Sequence, residues 1–167
     1  MRHLLARLGL IVRLLLALGL PGAAHADDVQ WITDSRGCKV ADLAPQDSES
    51  ISWTGECERG LANGEGILTW FMNGVRTEIY EGMMVDGYAE GMGRLRRAGG
   101  MYFGEWKRSM QHGRGRFDDA DGSWYQGEWS EGLPHGRGQM LTPEGKLLRG
   151  YWNNGVYEEE GAMPKRT

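Results

Sequence analysis

The sequence has little of what enzymes and metal proteins need. It contains only two cysteines and four histidines in 167 residues. No Ser/His/Asp, Cys/His or histidine-rich constellation appears, and there is no Cys-x-x-Cys, so nucleophilic, redox and metal chemistry lack their usual groups. We therefore expect no enzyme, no cofactor and no metal site. One alternative stays open, since two of the scattered acids could converge as they do in glycosidases.

Long hydrophobic runs and a basic excess are also missing. Beyond the first 26 residues no apolar stretch is long enough to cross a bilayer. Residues 1–26 hold three of the 19 basic residues and no acid, so residues 27–167 carry 16 basic and 23 acidic residues, a net of −7. This balance argues against nucleic acid as a partner.

The first 26 residues have the layout of a secretory signal peptide. Three arginines and a short apolar run are followed by Pro21-Gly22 and by the small-x-small triplet that ends at Ala26. The charged and apolar parts are Arg2, Arg7, Arg13 and the run from Leu14 to Leu20. We expect a signal helix that is cleaved after Ala26, which predicts a periplasmic or secreted protein. A permanent membrane anchor is the alternative.

Glycine and tryptophan, by contrast, are abundant and periodic, with 27 glycines and 7 tryptophans. Tyr102-x-Gly104-x-Trp106 returns 23 residues later as Tyr125-x-Gly127-x-Trp129, and a Gly-x-Gly follows each at the same distance. The lead glycine of this unit recurs at Gly55, Gly82, Gly104, Gly127 and Gly150. The steps between them are 27, 22, 23 and 23 residues, and a period of about this size is typical of repeat architectures. The chain therefore contains four copies and a partial fifth.

Each copy has the pattern of a β-hairpin. Apolar residues alternate around the lead glycine, as they do on one face of a strand. A short link such as Asp86-Gly87 divides the copy, and a turn signal such as Asn73-Gly74 ends it. A lone hairpin is marginal in water. The sequence therefore predicts an all-β fold, a single-layer antiparallel sheet of consecutive hairpins over residues 53–157.

The unit Tyr-x-Gly-x-Trp-x-x-Gly-x-x-x-Gly-x-Gly resembles the MORN repeat (membrane occupation and recognition nexus). The resemblance covers residues 53–157. It implies a rod-like sheet used for scaffolding, dimerisation or binding, without catalysis of its own. Three departures predict less regular early hairpins: Ser109 replaces a link glycine, Met84 replaces an aromatic residue, and extra residues precede Tyr80.

Two segments flank the repeats, a predicted cap over residues 27–52 and a predicted solvated tail over residues 158–167. Cys38 lies in the cap, and Cys57 occupies the column that holds tryptophan in later copies. Two cysteines in an exported chain usually pair. We expect a disulfide that replaces an aromatic anchor at the end of the sheet, with a redox or metal pair as the alternative.

A candidate anion patch stands out between residues 94 and 116, where seven basic residues accompany one acid, Glu105. They are Arg94, Arg96, Arg97, Lys107, Arg108, Arg114 and Arg116. Arginine binds phosphates and carboxylates through paired hydrogen bonds. The alternative is an ordinary solvated face whose charges are neutralised by acids on neighbouring strands.

The abundant aromatic rings suggest a second candidate site. A curled single sheet cannot bury every ring, so a groove lined by Trp106, Trp124, Trp129 and Trp152 would accept a peptide or the face of a sugar. The alternative is that these rings are the hydrophobic core.

The leading functional hypothesis is a non-enzymatic, exported repeat protein that acts as a protein-binding or scaffolding module in the cell envelope. Its partner would be another protein or a second copy of itself. The alternative is recognition of anionic lipid headgroups or a cell-wall polymer through the arginine-rich patch.

Overall fold

The computed structural model describes residues 29–159, and that part of the chain consists of thirteen β-strands without a helix. The predicted signal helix and residues 160–167 of the predicted tail lie outside the described residues. The strands are β1 Gln30–Thr33, β2 Lys39–Asp42, β3 Glu49–Trp53, β4 Glu56–Glu58, β5 Leu61–Met72, β6 Val75–Val85, β7 Tyr88–Arg97, β8 Gly100–Lys107, β9 Met110–Asp119, β10 Trp124–Ser130, β11 Leu133–Leu141, β12 Leu147–Asn153 and β13 Val156–Glu159.

From β5 to β13 the order of strands in the sheet is their order in the chain, and every neighbouring pair is antiparallel. At the other end, β3 and β4 both pair with β5. The prediction of one open sheet of consecutive hairpins is confirmed. A single parallel bridge, Lys39 to Leu61, joins β2 to β5 and departs from the antiparallel pattern.

Both predicted flanks are shorter than expected. Glu49 to Trp53 pairs with β5 and so belongs to the first hairpin rather than to the cap. Glu158 and Glu159 pair with Tyr151 and Gly150, so the first two residues of the predicted tail form a strand. Ser50 to Trp53 alternates as a short strand does, whereas at Glu158 and Glu159 the acidic side chains concealed a strand.

The link that joins the two strands within each repeat is a tight two-residue turn. Asp86 and Gly87 both have positive φ (48° and 81°), and Glu131 and Gly132 repeat this geometry (49° and 80°). Such turns match the twist of antiparallel strands. Ser109 adopts the same conformation (φ 62°), and its Oγ accepts a hydrogen bond from the backbone of β7. The missing link glycine therefore leaves the third hairpin intact.

Glycines meet in one row that crosses the sheet from β5 to β12. The pairs join Gly66, Gly82, Gly93, Gly104, Gly115, Gly127, Gly138 and Gly150 in turn. We call the face that carries Tyr80, Tyr102 and Tyr125 the inner face, and the opposite one the outer face. A Cβ on Gly127 would lie 2.5 Å from the Tyr125 hydroxyl oxygen. The glycines are required because the tyrosine rings lie flat across them.

The core is a continuous strip of rings on the inner face. Trp129, for example, meets Tyr102 and Tyr125 edge to face, with ring centroids 5.1 and 5.2 Å apart. Such pairs are favourable beyond the area they bury. The strip runs through Tyr80, Trp106, Tyr102, Trp129, Tyr125, Trp152 and Tyr157. No second layer is needed, because each ring is covered by the next repeat.

Strands β1 and β2 form a cap at the N-terminal end of the sheet. Backbone N–H groups of Lys39 and Ala41 donate to the carbonyls of the link turns at Gly60 and Gly87. Buried Val40 adds an apolar side chain to the core. The cap thus ties the first two hairpins together at their link turns.

Candidate binding surfaces

The seven basic residues of the predicted patch do not share one surface. Strand alternation sends Arg94, Arg96, Lys107, Arg114 and Arg116 to the outer face. Arg97 lies on the inner face over the Phe117 ring, and Arg108 lies in a link turn over the Tyr88 ring. The prediction of a single patch is therefore wrong, since it took closeness in sequence for closeness in space.

Three of the outer-face arginines have acidic neighbours. Arg94 and Arg96 lie 3.8 and 4.0 Å from the same carboxylate oxygen of Glu81. Arg116 donates from Nε to both carboxylate oxygens of Asp118 at 2.9 Å. These pairs agree with the alternative of a solvated, neutralised strand face.

Three other arginines have no acidic partner among the described residues. Within residues 29–159 the guanidinium groups of Arg114, Arg137 and Arg149 make no ion pair, and all three side chains are exposed. They border a shallow groove on the outer face, which we call the outer channel. It is lined by Met92, Phe103, Gly104, Arg114, Gly115, Arg116, Gln126, Gly127, Glu128, Arg137, Gly138, Gln139, Arg149 and Gly150. The sequence prediction missed Arg149, which one could have found by extending the repeat register into the partial fifth copy.

Glu128 in this channel and Glu105 beside it both accept backbone hydrogen bonds. Glu105 accepts a hydrogen bond from the N–H of Arg114 at 2.8 Å, and Glu128 accepts one from the N–H of Arg137 at 2.9 Å. Both carboxylates lie against the first glycine of a Gly-x-Gly, Gly113 or Gly136. The acid after the lead glycine is thus a structural part of the repeat.

The four predicted groove tryptophans do not line a groove. Trp106, Trp129 and Trp152 are 7%, 3% and 0% exposed in the ring strip. Trp124 lies on the outer face, where the Arg116 guanidinium stacks over its ring at 4.5 Å. Trp124 directly precedes inward-facing Tyr125, so alternation alone puts it on the other face. The prediction of a shared groove is wrong, and the alternative of a core holds for three of the four rings.

A different groove opens on the inner face between the cap and the first repeats. Its volume is about 450 Å³, and we call it the inner groove. Its apolar lining includes Leu43 of the cap, Trp70, Tyr80, Leu95 and Met110. Sequence reasoning missed it because the position of the cap over the sheet has no local sequence signal. Trp70 and Leu95 do follow the inward alternation of the strands.

The predicted cysteine pair lies beside this region. Cys38 and Cys57 form a disulfide with a Cα–Cα distance of 5.6 Å, and Cys38 is fully buried. Asp34 accepts hydrogen bonds from the N–H groups of Arg36 and Cys38 at 2.8 and 2.9 Å. Burial alone would raise the pKa of Asp34, but these bonds, with a further one from the Trp53 N–H, outweigh it and hold the pKa below its ordinary value of 3.8.

The buried tyrosines offer no acid–base chemistry near neutral pH. Burial, together with a neighbouring glutamate, raises the pKa of Tyr80, Tyr102 and Tyr125 far above its ordinary value. Each hydroxyl instead donates to the carbonyl three residues later in its own strand, at 2.9–3.0 Å. The tyrosines are structural donors that hold their rings over the glycine row.

Metal centres and membrane-spanning helices are two further kinds of feature that bear on function. Between residues 29 and 159 no three histidine, cysteine or acidic side chains converge to hold a metal ion. The same part of the chain contains no helix long and apolar enough to cross a membrane.

Comparison with known families agrees with the repeat geometry. The family model described as the MORN repeat matches four consecutive spans, residues 53–75, 80–101, 102–124 and 125–146. The chain belongs to the MORN repeat family. MORN repeats generally form non-catalytic modules that bind proteins or membranes. A comparison with curated protein sequences finds no match.

The four matched MORN spans end before the last hairpin, and the structure extends the repeat geometry beyond them. Gly150 continues the glycine row opposite Gly138, and Trp152 continues the ring strip against Tyr125. The partial fifth copy therefore closes the C-terminal end of the MORN sheet.

Proposed function

We propose that this MORN protein is an exported, non-enzymatic module that binds a protein partner through the inner groove. The observation that carries the proposal is the exposed apolar surface at the edge of the cap. Leu43 is 48% exposed there, and half-buried Trp70 and Leu95 lie below it. Concave, mostly apolar surfaces with a few polar groups are the usual form of binding sites.

The charge around this groove indicates the chemistry of the partner. Residues 29–90 carry 11 acidic and 4 basic residues, whereas residues 91–159 carry 9 acidic and 10 basic residues. The groove lies mainly in the acidic part, and its lining includes four acids and one basic residue, Arg97. A segment with a large apolar side chain flanked by lysine or arginine is complementary to it.

Two features support export. The first 26 residues have a signal-peptide pattern, and the described part of the chain contains a disulfide, a bond typical of oxidising compartments. N-terminal sequencing of protein recovered from the envelope or medium tests this, with Asp27 as the expected first residue. An intact residue 1 in a cytoplasmic fraction would contradict export.

Site-specific crosslinking tests the groove. A photo-reactive residue at Leu43 is expected to capture a partner peptide that pairs a large apolar residue with lysine or arginine. The same residue at Leu147, which is 43% exposed at the other end of the sheet and so comparable to Leu43, is the matched control. Capture at both positions alike, or of further copies of this chain alone, would contradict the proposal.

A synthetic copy of the captured peptide gives the quantitative test. It should bind the wild-type protein, and Leu43→Asp should weaken binding about tenfold or more, because a charge replaces the apolar contact. Leu147→Asp should leave the affinity unchanged. Equal affinities for all three proteins would place binding outside the inner groove.

A further inference from the structure

The outer channel lies on the face opposite the inner groove, and its charges have the opposite sign. Of the arginines that line it, Arg116 is paired with Asp118, while Arg114, Arg137 and Arg149 keep exposed guanidinium groups. Glu128 is the acid in the lining, and its carboxylate accepts the Arg137 N–H. Free basic groups therefore outnumber the acid in the channel.

The dimensions of the channel favour one linear chain. Its two walls are side-chain rows that stand on either side of the glycine row, two residues apart on each strand and thus about 7 Å apart. Five glycines on five successive strands, from Gly104 to Gly150, form the floor. At about 4.8 Å a strand, this floor is about 19 Å long. A bilayer surface would touch only the rims, whereas a single extended polymer reaches the floor.

The floor itself distinguishes between polymers. Backbone N–H and C=O groups in a sheet point sideways to the neighbouring strands, so the floor presents Cα atoms and few free hydrogen-bonding groups. A peptide lying flat there would find no backbone groups on the floor to pair with its own amides. A sugar ring can instead place its apolar face on the floor and direct its polar substituents to the walls.

The walls supply the complementary groups. Gln126 and Gln139 add amide groups between the arginines, and arginine forms paired hydrogen bonds with carboxylates. Toward the N-terminal end of the channel, Met92 and Phe103 are 53% and 48% exposed and offer apolar surface. The two walls thus offer charged and hydrogen-bonding groups along most of the channel, and apolar surface at one end.

We propose that the outer channel binds a linear, carboxylate-bearing polysaccharide, whose carboxylates pair with Arg114, Arg137 and Arg149. This site is independent of the protein-binding function of the inner groove, because the two surfaces lie on opposite faces of the sheet. Loss of either activity by mutation should leave the other intact.

The test uses oligomers of galacturonate as the probe and isothermal titration calorimetry as the measurement. The wild-type protein should bind them with an affinity that falls as salt is added. The triple variant Arg114→Gln, Arg137→Gln, Arg149→Gln should bind at least about a hundredfold more weakly, since hydrogen bonds to charged groups are the stronger ones. Neutral galactose oligomers should not bind.

The matched control removes the same charge elsewhere. The variant Arg76→Gln, Arg96→Gln, Lys146→Gln alters three exposed side chains outside the channel lining and should bind like the wild type. Near-ultraviolet circular dichroism of the ring strip verifies that both variants fold. Equal losses in the two variants would overturn the proposal, as would no binding of galacturonate. Preferential binding of polyglutamate or of phosphatidylglycerol vesicles would also overturn it, by assigning the channel to a peptide or a membrane.

Discussion

The two ends of the sheet stabilise the same backbone with different side chains. In the third and fourth repeats, Trp106 and Trp129 pack between tyrosines on the inner face. In the first repeat Cys57 stands in the tryptophan column, and its disulfide to Cys38 attaches the cap there. In that first repeat Trp53 takes the tyrosine position and its ring lies over Gly66, so this end of the sheet replaces the tryptophan column but keeps a ring over the glycine row.

This difference explains where the two candidate surfaces lie. In the second repeat Met84 takes the tryptophan position and the cap arches over the inner face, and the inner groove lies beside both. The outer channel lies where the repeats are regular, because only there do arginines recur at matching positions such as Arg114 and Arg137. The apolar inner groove thus lies beside the irregular first repeats and the cap, whereas the charged outer channel lies on the regular later repeats.

The largest effect is expected at the regular end. Trp129→Ala removes a ring that is 3% exposed and touches two tyrosines, so the free energy of unfolding should fall by about 4 kcal/mol. Trp124→Ala, on the outer face, should cost about 1 kcal/mol. Urea unfolding followed by circular dichroism measures both. Equal losses would show that the ring strip is not the core.

A somewhat smaller effect is expected at the capped end. Replacing Cys38 and Cys57 by alanine opens a loop of sequence separation 19, worth about 3 kcal/mol in the loop-entropy account. Because each hairpin contacts only its neighbours, hydrogen exchange should accelerate in β2 to β5 and stay slow in β10 and β11. Uniform acceleration would mean that the cap stabilises the whole sheet.

The next largest loss of stability is expected from a substitution in the glycine row. Gly127→Ala puts a Cβ 2.5 Å from the Tyr125 hydroxyl and 2.6 Å from the Cα of Gly138, and this overpacking should cost about 2 kcal/mol. Gly99→Ala is the control, because no atom lies within 4 Å of its added Cβ. Thermal unfolding compares the two. A Gly127→Ala protein as stable as Gly99→Ala would contradict the close contact of ring and backbone.

The smallest expected effect is the loss of stability at acidic pH that depends on Asp34. The pKa of Asp34 is lower in the folded protein than in the unfolded chain, so its contribution to stability is complete above about pH 4 and is lost as the pH falls through the folded-state value. Asp34→Asn should remove part of this pH dependence, because the amide has no charge to lose. Chemical unfolding at a series of acidic pH values checks this. Parallel curves for wild type and Asp34→Asn would contradict it.

Most of the fold could be predicted from the sequence, because the same pattern of glycines and aromatic residues recurs in each repeat. The lead glycines predict the row, and the link residues predict the turns, even at Ser109, where a serine adopts the glycine conformation. The cap is different, since it occurs once. Its contacts with the turns at Gly60 and Gly87 use backbone groups, which leave no mark on side-chain identity.

The candidate sites were harder to predict, because function depends on which face a side chain occupies and on what it meets there. Strict alternation would have separated Trp124 from the other rings and Arg97 from Arg96. It would not have shown that Arg116 is neutralised by Asp118 whereas Arg114 makes no ion pair with any described residue. That distinction depends on side-chain conformation, which the repeat pattern does not encode.

The unbroken glycine row has one more consequence. Because each 23-residue unit joins only the units before and after it, duplicating one in register would insert two strands and lengthen the sheet by about 10 Å without altering either end. Duplication or loss of whole repeats would therefore change the length of the sheet in steps of one repeat. Each step that duplicates the third or fourth copy would add another arginine to the row that already contains Arg114 and Arg137.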